Sequence, residues 1–588
     1  MEYNNSSIEK LKKSISHNRK LLQPYRENRV AAVREFVGRN YSDSGSKDRV
    51  PINMLELFVS TYSRQLIGNR PNVFVQPRVE SLAPQAKELE LATNHVLKEM
   101  EIESTLRAAV IDALFCIGIV KVGVAEADGE AMRGFRYDSG QPFAETIDLD
   151  DWVHDMSARH LDECSFMGHR FKVPTEVLRS SDVYSNPENI PTSKRSLIND
   201  YGDSRVSAVG HAEMYGDSGQ GEVSELWEVY LPREGRICTF VADETGLPLK
   251  KIRDIEWEGP EIGPYHFLKF SEVPGNTMPL PPVATMMDLH DLANKLFRKL
   301  GRQAERQKDV VGYRGSAEQD AKNVQSSFDG GVIRMDDPQS VQTYKFGGID
   351  QQNLAFVLQL KNFFNYYGGN IDTLGGLGPQ SSTVGQDKLI NESASQRMAD
   401  MQEAARGFAK SLCTSVGWHI YHDNDSELEL EKTVAGTTLK VPFVYNKSRK
   451  ESDIFDFNMD IEPHSIISQT PGEKLQQLRE LMNSFISPLL PAMQQQGISV
   501  DGKKLIELVS RYSQIPELAG LFKGVQQQAG GGQEQQSPAQ KQTEIVRTNR
   551  PGATTRGQDD AMARMMMAAG DGPGVQPAEA AAIERPVG

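Results

Sequence analysis

Three histidines and a cysteine in one short segment are the residues of this chain whose types could bind a transition metal. His154, His160, Cys164 and His169 lie within DDWVHDMSARHLDECSFMGHRF, residues 150–171. A zinc site needs three or four such ligands in a tetrahedral arrangement, usually anchored by a CxxC or HxxxH element. The spacing here, H-x5-H-x3-C-x4-H, contains neither element. The pattern therefore favours surface and packing histidines over a metal site.

The segment FDFNMDI, residues 455–461, begins like a calcium-binding loop, with Asp456, Asn458 and Asp460 at alternate positions. Such a loop needs Gly at its sixth position and Glu at its twelfth, where this chain has Ile461 and Ile467. The alternation of Phe457 and Met459 with polar residues is typical of a strand that buries one face. We therefore predict a strand and no calcium site.

Motifs for nucleophilic or phosphate chemistry are missing from the sequence. GPQSSTVGQDK, residues 378–388, contains glycines, hydroxyls and a lysine but lacks the GK[ST] ending of a P-loop. GxSxG, HExxH and a GxGxxG after a strand are also absent. We expect no catalytic residue, no bound metal and no cofactor. An enzyme with scattered catalytic groups stays open as an alternative that no motif supports.

Composition restricts the class of protein further. The chain has 588 residues, 65 basic against 80 acidic, and a net charge of −15. This balance argues against a sequence-specific nucleic-acid-binding protein, although not against one that lets nucleic acid pass without gripping it. The four cysteines are far apart, no apolar run reaches 18 residues, and the N-terminus has no signal-peptide core. We expect a soluble, unsecreted, intracellular protein.

The N-terminal segment, residues 7–39, has helical periodicity with a break or kink at Pro24. It is strongly basic, and such a face is either solvated surface or, alternatively, a phosphate-binding arm. Its basic residues are Lys10, Lys12, Lys13, Arg19, Lys20, Arg26, Arg29, Arg34 and Arg39.

Apolar periodicity and turn residues predict the other elements, and together they indicate an α+β fold that is mainly helical. Helices are expected within 50–68 and over 84–101, 103–116, 279–308, 350–367, 386–421 and 471–523. Strands are expected at 117–124, 224–231, 236–241, 265–270, 331–335, 341–346, 438–445 and 454–462. From about 525 onward the chain is rich in Gln, Gly, Ala, Pro and Ser, which predicts a disordered tail.

A Gly-rich break, GGNIDTLGGLGPQSSTVG at 368–385, separates an unusually apolar helix from a long periodic helix. The apolar helix carries large side chains in most directions, which predicts that it is covered all round. Because a flexible loop in such a place is costly to keep, we expect it to have a function. The long helix repeats apolar residues every three or four positions, on one face: Ile390, Ala394, Met398, Met401, Ala405, Phe408, Leu412, Val416 and Ile420.

The order of these segments resembles that of the portal, or head–tail connector, proteins of tailed bacteriophages. The first passage is VPINMLELFVSTYSRQLIGNRPNVFVQP with the two helices after it, similar to the N-terminal part of the family's wing. The second is WVHDMSARHLDECSFMGHRFKV, and the third is PGNTMPLPPVATMMDLHDLANKLFRKLGRQAERQK, similar to the entry into a stem helix. The fourth is the sequence helix, Gly-rich loop, long helix. The resemblance covers roughly residues 25–525.

This resemblance implies a ring subunit with wing, stem, clip and crown regions. The implied regions are an N-terminal arm and wing (1–282), stem helices (283–308 and 350–368), a clip between them (309–349), a tunnel loop (369–385), a long wing helix with strands (386–470), a helical crown (471–524) and a disordered tail (525–588). We expect the tail to be dispensable for ring formation.

The resemblance also implies roles for individual residues. The loop residues that would face DNA in the tunnel are Gly369, Asp372, Gly375, Gly376, Gly378, Gly385 and Lys388. The exposed clip residues that would dock a packaging motor or adaptor are Arg314, Asp320 and Lys322. The stem residues that would contact neighbouring subunits are Leu354, Val357, Leu358, Phe363 and Phe364.

In such a family the ring, usually of twelve subunits, occupies one vertex of the virion capsid and is assembled in the host cytoplasm. Double-stranded DNA passes through it, without sequence specificity, during packaging and ejection. The implied partners are further copies of the chain, the terminase large subunit, head–tail adaptor proteins, and the major capsid and scaffolding proteins, with no membrane. The alternative is another head–tail adaptor or capsid-vertex ring protein, although these are usually shorter and lack the stem–clip–stem order.

Overall fold

The computed structural model describes most of the first 466 residues. The described ranges are 5–38, 52–125, 130–132, 135–137, 140–180, 183–185, 187, 190, 223–242, 246–336, 338–369, 371–374, 384–422, 428–433, 440–445, 452–462 and 465–466. The chain divides into a unit Met1–Gly497 and a unit Ile498–Gly588, and the described residues all belong to the first. The expected crown and tail, with Gly375, Gly376 and Gly378, lie outside the described ranges.

The described helices account for the larger share of the ordered elements. In chain order they are α1 (Asn5–Val37), α2 (Met54–Leu66), α3 (Ala83–Glu99), α4 (Ile102–Phe115), α5 (Thr175–Ser180), α6 (Pro282–Glu305), α7 (Glu318–Ser326), α8 (Gln351–Tyr367), α9 (Ile371–Leu374) and α10 (Val384–His422).

Sixteen strands complete the described elements. They are β1 (Val73–Pro77), β2 (Gly118–Val124), β3 (Glu130–Met132), β4 (Phe135–Tyr137), β5 (Pro142–Thr146), β6 (Trp152–His154), β7 (Met167–Pro174), β8 (Val223–Leu231), β9 (Arg236–Ala242), β10 (Pro248–Glu256), β11 (Tyr265–Leu268), β12 (Lys308–Tyr313), β13 (Val341–Phe346), β14 (Leu428–Thr433), β15 (Lys440–Tyr445) and β16 (Phe457–Ile461). The fold is α+β, as the sequence predicted.

Local sequence explains where several helices begin. Asn53 precedes α2, and its side-chain oxygen accepts a hydrogen bond from the Glu56 N–H at 3.1 Å. Asp350 precedes α8 in the same way and accepts from the Gln352 N–H at 2.9 Å. Each cap satisfies an N–H that the first turn of a helix leaves without an intrahelical acceptor. α6 starts with Pro282, whose missing N–H costs nothing at that position.

The strands form antiparallel sheets of different sizes. The largest has the order β10-β9-β8-β7-β6, and a second has the order β11-β2-β5. β1 pairs with β16 although almost 400 residues separate them in sequence, with Val73 opposite Ile461. β12 pairs with β13, and β14 with β15, as separate two-stranded sheets.

The two largest apolar cores of the described residues hold these layers together. The larger core joins α2, α3, α4, α6, α8 and α10 to the β11-β2-β5 sheet and the β1-β16 pair. The second packs α1 against the five-stranded sheet around Trp152, Trp227 and Phe240. The periodic stripe of α10 is confirmed from Met398 to Ile420, because its seven members there are all buried in the larger core. At about 1.5 Å per residue, α10 is roughly 60 Å long.

In two places the secondary structure differs from the sequence prediction. The helix α1 runs from Asn5 through Pro24 to Val37, so the helix does not break there, and a kink at Pro24 stays a prediction. Residues 331–335, predicted as a strand, are irregular, and the partner of β13 is β12, at 308–313, which the sequence had placed in helix and connection. Val332 is fully exposed, so its β-branched side chain has no sheet face to pack on.

Candidate functional surfaces

The segment 308–346 connects α6 to α8 and belongs to neither helix. We call it the α6–α8 excursion. β12 and β13 pair from Lys308 opposite Phe346 to Tyr313 opposite Val341, so the segment starts and ends at one place. The helix α7 packs against β12. The excursion is thus a two-stranded sheet with one short helix on it.

One face of this small sheet is apolar and exposed. Val310 lies opposite Tyr344, and Phe346 is two residues further on, so all three side chains share a face. The Tyr344 and Phe346 rings stack with centroids 6.2 Å apart, and all three residues are exposed. Two-stranded sheets are marginally stable alone in water. This face is therefore suited to covering by another surface.

The three residues expected to dock a partner on the excursion differ in their surroundings. Arg314 follows β12 and is exposed. Lys322 is exposed on α7 and forms an ion pair of 2.7 Å with Glu318. The expectation that Asp320 is exposed is wrong, because it is buried and its carboxylate accepts a hydrogen bond from the Asp336 N–H at 3.1 Å. Asp320 holds the irregular segment against α7.

The helix α8 packs on α6 through one stripe of side chains and leaves several other large apolar side chains exposed. The stripe consists of Val357, Leu360 and Phe364, so two of the five residues expected at subunit contacts are buried within the chain. At 100° per residue, the exposed residues fall on both sides of this stripe. Phe356, Phe363 and Tyr367 form one flank, and Leu354 and Leu358 form the other.

The large exposed apolar side chains of the described residues are unevenly distributed. Nearly half of them fall between residues 308 and 367, that is, on the α6–α8 excursion and on α8. Leu358 is 58% exposed and Tyr366 is 72% exposed. Contiguous exposed apolar surface of this kind marks an interaction site far more often than scattered single residues do. The prediction that α8 is covered all round does not hold within one chain.

The described residues that follow α8 include Gly369 and Asp372, and Asp372 is held against that helix. Gly369 has a φ of 75°, a backbone conformation that suits glycine. Asp372 is buried at the start of α9, where its N–H donates to Asn365 Oδ1 at 2.9 Å and its carboxylate lies 3.6 Å from Lys361 Nζ. Asp372 is thus directed at α8 and not at open solvent.

Two further residues expected to face the tunnel lie at the start of α10. This helix begins at Val384, so Gly385 is helical where a loop was expected, and Lys388 lies in the helix that was predicted over 386–421. Of the expected loop 369–385, a short helix α9 and the first two residues of α10 are helical. Residues 375–383, between these two helices, lie outside the described ranges.

His154, Cys164 and His169 of the candidate metal motif are buried, whereas His160 is exposed. Trp152 Nε1–H donates to His154 Nδ1 at 2.9 Å, so the neutral ring carries its proton on Nε2 and donates to Thr277 Oγ1 at 2.8 Å. Burial lowers the pKa of His154 to about 4. His169 Nδ1 lies 2.9 Å from the Tyr265 hydroxyl, and burial lowers its pKa to about 3.

Cys164 is also buried, and burial raises the pKa of its thiol to about 12. Within the described ranges, no cluster of three or more His, Cys, Asp or Glu residues has the geometry to hold a metal ion. The four residues of the candidate metal motif therefore do not converge on one point in this structure.

Two arginines of α1 hold this helix in place through contacts that the sequence did not reveal. Arg26 donates to the Leu149 carbonyl at 3.1 Å and to the Trp152 carbonyl at 2.8 Å. Arg29 forms ion pairs with Asp148 at 2.8 Å and Asp150 at 3.1 Å. These contacts anchor α1 to the turn before β6. The basic composition of α1 was visible in the sequence, but its partners lie more than 100 residues away.

No protein-family model matches this chain, and no curated protein matches it. Among the helices that the structure describes, none is both long enough and apolar enough to span a bilayer.

Proposed function

We propose that this chain is the subunit of a portal ring of a tailed bacteriophage. The ring would occupy one vertex of the virion capsid, and duplex DNA would pass through its channel during packaging and ejection. Support for the proposal comes from the order of segments and, above all, from the exposed apolar surface of α8.

A ring subunit must contact two neighbours through two different surfaces, because the contact is head to tail. α8 carries an apolar flank on each side of its buried stripe, one with Phe356 and Phe363 and the other with Leu354 and Leu358. In a ring, one flank of α8 would pack against the other flank of α8 in the next copy. Burial of an exposed side chain of this size contributes about 1.5–3 kcal/mol. Repetition of the contact around a ring would stabilise the assembly.

The α6–α8 excursion would be the docking site for the packaging motor, a terminase large subunit, and later for head–tail adaptor proteins. It projects between the two helices that would form the stem, and it exposes both apolar and basic side chains, Tyr344, Phe346 and Arg314 among them. Further partners in this proposal are the major capsid and scaffolding proteins. The segment 369–385, from the end of α8 to the first residues of the long helix α10, would lie in the channel.

The charge of the chain supports passage of DNA rather than tight binding in the channel. Twelve copies at −15 each would carry a charge of −180. Phosphates are repelled by a wall of like charge, so DNA would slide through with few ion pairs to break. The chain itself would hydrolyse no nucleotide, which agrees with the missing P-loop motif.

The direct experiment is native mass measurement of the full chain together with electron micrographs of the same sample. The expected result is a closed ring with a narrow axial channel, and no ATPase activity. A stable monomer or dimer at micromolar concentration would overturn the proposal, and so would intrinsic ATPase activity.

The alternative is another ring protein of the head–tail junction or capsid vertex. The same apolar flanks of α8 would serve that assembly too. The stem–clip–stem order, α6, excursion and α8, favours the portal. Reconstitution with a terminase separates the two, because only a portal should stimulate packaging of DNA into empty capsid precursors.

A further inference from the structure

On α1, three arginines and three exposed lysines lie on opposite sides of the helix. Arg19, Arg26 and Arg29 turn toward the five-stranded sheet and the turn before it, where they meet carbonyl and carboxylate oxygens. Lys10, Lys13 and Lys20 are exposed on the opposite side. The arginines therefore have a structural role, and the exposed lysines still need an explanation.

The helix is held firmly in one orientation. Leu11, Ile15 and Leu22 are buried in the second core at intervals of four and seven residues. Asn18 Oδ1 accepts a hydrogen bond from the Met156 N–H at 2.9 Å, and the Arg19 guanidinium lies 5.6 Å from the centre of a Trp227 ring. The exposed face of α1 is thus presented by a fixed helix.

That exposed face carries a cationic stripe, which we define as Lys10, Lys13, His17 and Lys20. The residues recur at steps of three and four, so they form one row along the helix. Among the ion pairs that the structure gives for described residues, none involves these three lysines. Glu9 flanks the row at its start, which leaves a clear excess of positive charge.

We infer that the cationic stripe binds the phosphates of duplex DNA, as a second DNA-binding surface separate from the channel. The choice of DNA as the anionic polymer rests on the proposed function. The part of α1 that carries the stripe packs in the second core through Leu11, Ile15 and Leu22, whereas α8, the helix proposed to contact neighbouring subunits, belongs to the first. Lysines suit such binding, because their mobile point charges follow a phosphate backbone without needing a fixed geometry.

The dimensions of the stripe fit a short stretch of one DNA strand. Lys10 and Lys20 are ten residues apart, which is about 15 Å along a helix. Phosphates on one strand advance about 3.4 Å each along the DNA axis, so the stripe faces about four of them. Three phosphate contacts bind weakly alone, but a ring repeats them, and repeated weak contacts add up to strong binding.

Closed circular DNA separates this surface from the channel. A covalently closed plasmid cannot thread a ring that is already closed, so any complex must use another surface. Preassembled rings of the full chain are mixed with closed circular plasmid between 50 and 200 mM NaCl, concentrations over which phosphate contacts weaken markedly. We expect a complex whose affinity falls as the salt concentration rises.

The decisive variant is Lys13→Gln with Lys20→Gln, and its matched control is Lys98→Gln with Lys250→Gln. All four lysines are exposed, and both pairs change the net charge equally. The first pair should reduce affinity for the plasmid by about tenfold or more at 50 mM NaCl. It should also make the slope of log affinity against log salt shallower by about 1.8 for each engaged subunit. The control should change affinity by less than about twofold.

Several outcomes would overturn the inference while leaving the ring proposal intact. Rings that bind linear but not circular DNA would show that the channel alone binds. Equal losses of plasmid affinity in both variant pairs would show that the affinity depends on net charge and not on the position of the lysines. Failure of the Lys13 and Lys20 variant to form rings would place the stripe against a neighbouring copy. Absence of rings in the unaltered chain would instead refute the proposed function, and plasmid binding by the monomer could still be measured.

Discussion

The hydroxyl of Tyr62 on α2 donates a hydrogen bond to the carbonyl of Gly368, 2.7 Å away, at the end of α8. Tyr62 is almost fully buried. Space around Gly368 is equally restricted, because a Cβ there would lie 2.3 Å from Ile371 Cδ1 and 2.8 Å from Met286 Cε. Side chains from α2, α6 and α9 therefore meet at the residue where the chain turns away from α8.

The variant Tyr62→Phe should lower the free energy of unfolding by about 1–3 kcal/mol, because it leaves the Gly368 carbonyl buried without its donor. Chemical denaturation of the purified chain measures the change. Tyr313→Phe is the control, since Tyr313 is exposed on β12. Equal stability of the Tyr62 variant and the unaltered chain would show that the hydrogen bond has no net effect.

Charge on a flank of α8 should prevent ring formation without unfolding the subunit. Leu358→Asp places a carboxylate at the proposed subunit contact, where it could not be buried without a large penalty. The matched control is Leu249→Asp, because Leu249 on β10 is 50% exposed against 58% for Leu358. Native mass spectrometry should show monomers for the first variant and rings for the second. Rings in both would contradict the role of α8.

Docking of the packaging motor should depend on Arg314, whereas ring assembly should not. Arg314→Glu reverses an exposed charge on the α6–α8 excursion, and we expect terminase binding to weaken by about tenfold or more if that charge is at the centre of the interface. The buried Asp320 is unsuitable for this test, because its substitution would disturb the fold of the excursion. Rings of the Arg314 variant that bind terminase normally would exclude this residue.

Removal of the Arg26 guanidinium should be strongly destabilising. Arg26→Met deletes the donors to the Leu149 and Trp152 carbonyls and leaves Asp150 with fewer positive neighbours in a buried place. The loss of one partner from a buried ionic network costs about 3–5 kcal/mol. Denaturant titration measures it, with the exposed Arg159→Met as control. A cost below about 1 kcal/mol would mean that water replaces these contacts.

Acid should destabilise the second core through its buried histidines. Burial lowers the pKa of His154 from 6.5 to about 4, so the unfolded chain takes up this proton at a higher pH than the folded chain does. The contribution to stability is therefore complete above about pH 6.5 and decreases as the pH falls toward 4, by about 1.4 kcal/mol per pH unit. His169 acts in the same direction.

The variant His154→Gln should flatten this dependence between pH 6 and 4.5, measured as the change in unfolding free energy with pH. Exposed His160→Gln serves as the control. An unchanged slope in the His154 variant would mean that its proton uptake is the same in the folded and unfolded chains.

Elements with strong local periodicity were predictable from the sequence. α6, α8 and α10 follow the predicted bounds to within a few residues, since each has a long apolar repeat and α6 and α8 have recognisable starts. β12 was missed because its charged start, Lys308 and Asp309, continues the polar pattern of the helix before it. The sequence does show β-branched residues at 331–335, but no sheet face accepts them.

Contacts across long sequence distances could not be predicted from the chain alone. No local signal in the sequence of β1 predicts that it pairs with β16. Likewise, the sequence around Arg26 does not identify the Leu149 and Trp152 carbonyls as its acceptors. The sequence similarly indicated a basic α1 but not which residues turn inward. Burial of Asp320 depends on Asp336, which folds back from an irregular segment with no periodic signal.

The pairing of Lys308 with Phe346 gives the α6–α8 excursion a narrow neck. Because the two ends of the segment meet at this neck, a change of length beyond it need not alter the distance between the ends of α6 and α8. The segment could lengthen, shorten or be replaced wholesale in the course of evolution while the frame kept its geometry. Under the proposed function, a hybrid chain that carries the corresponding segment of a known phage portal, joined at 308 and 346, should bind the packaging motor of that phage.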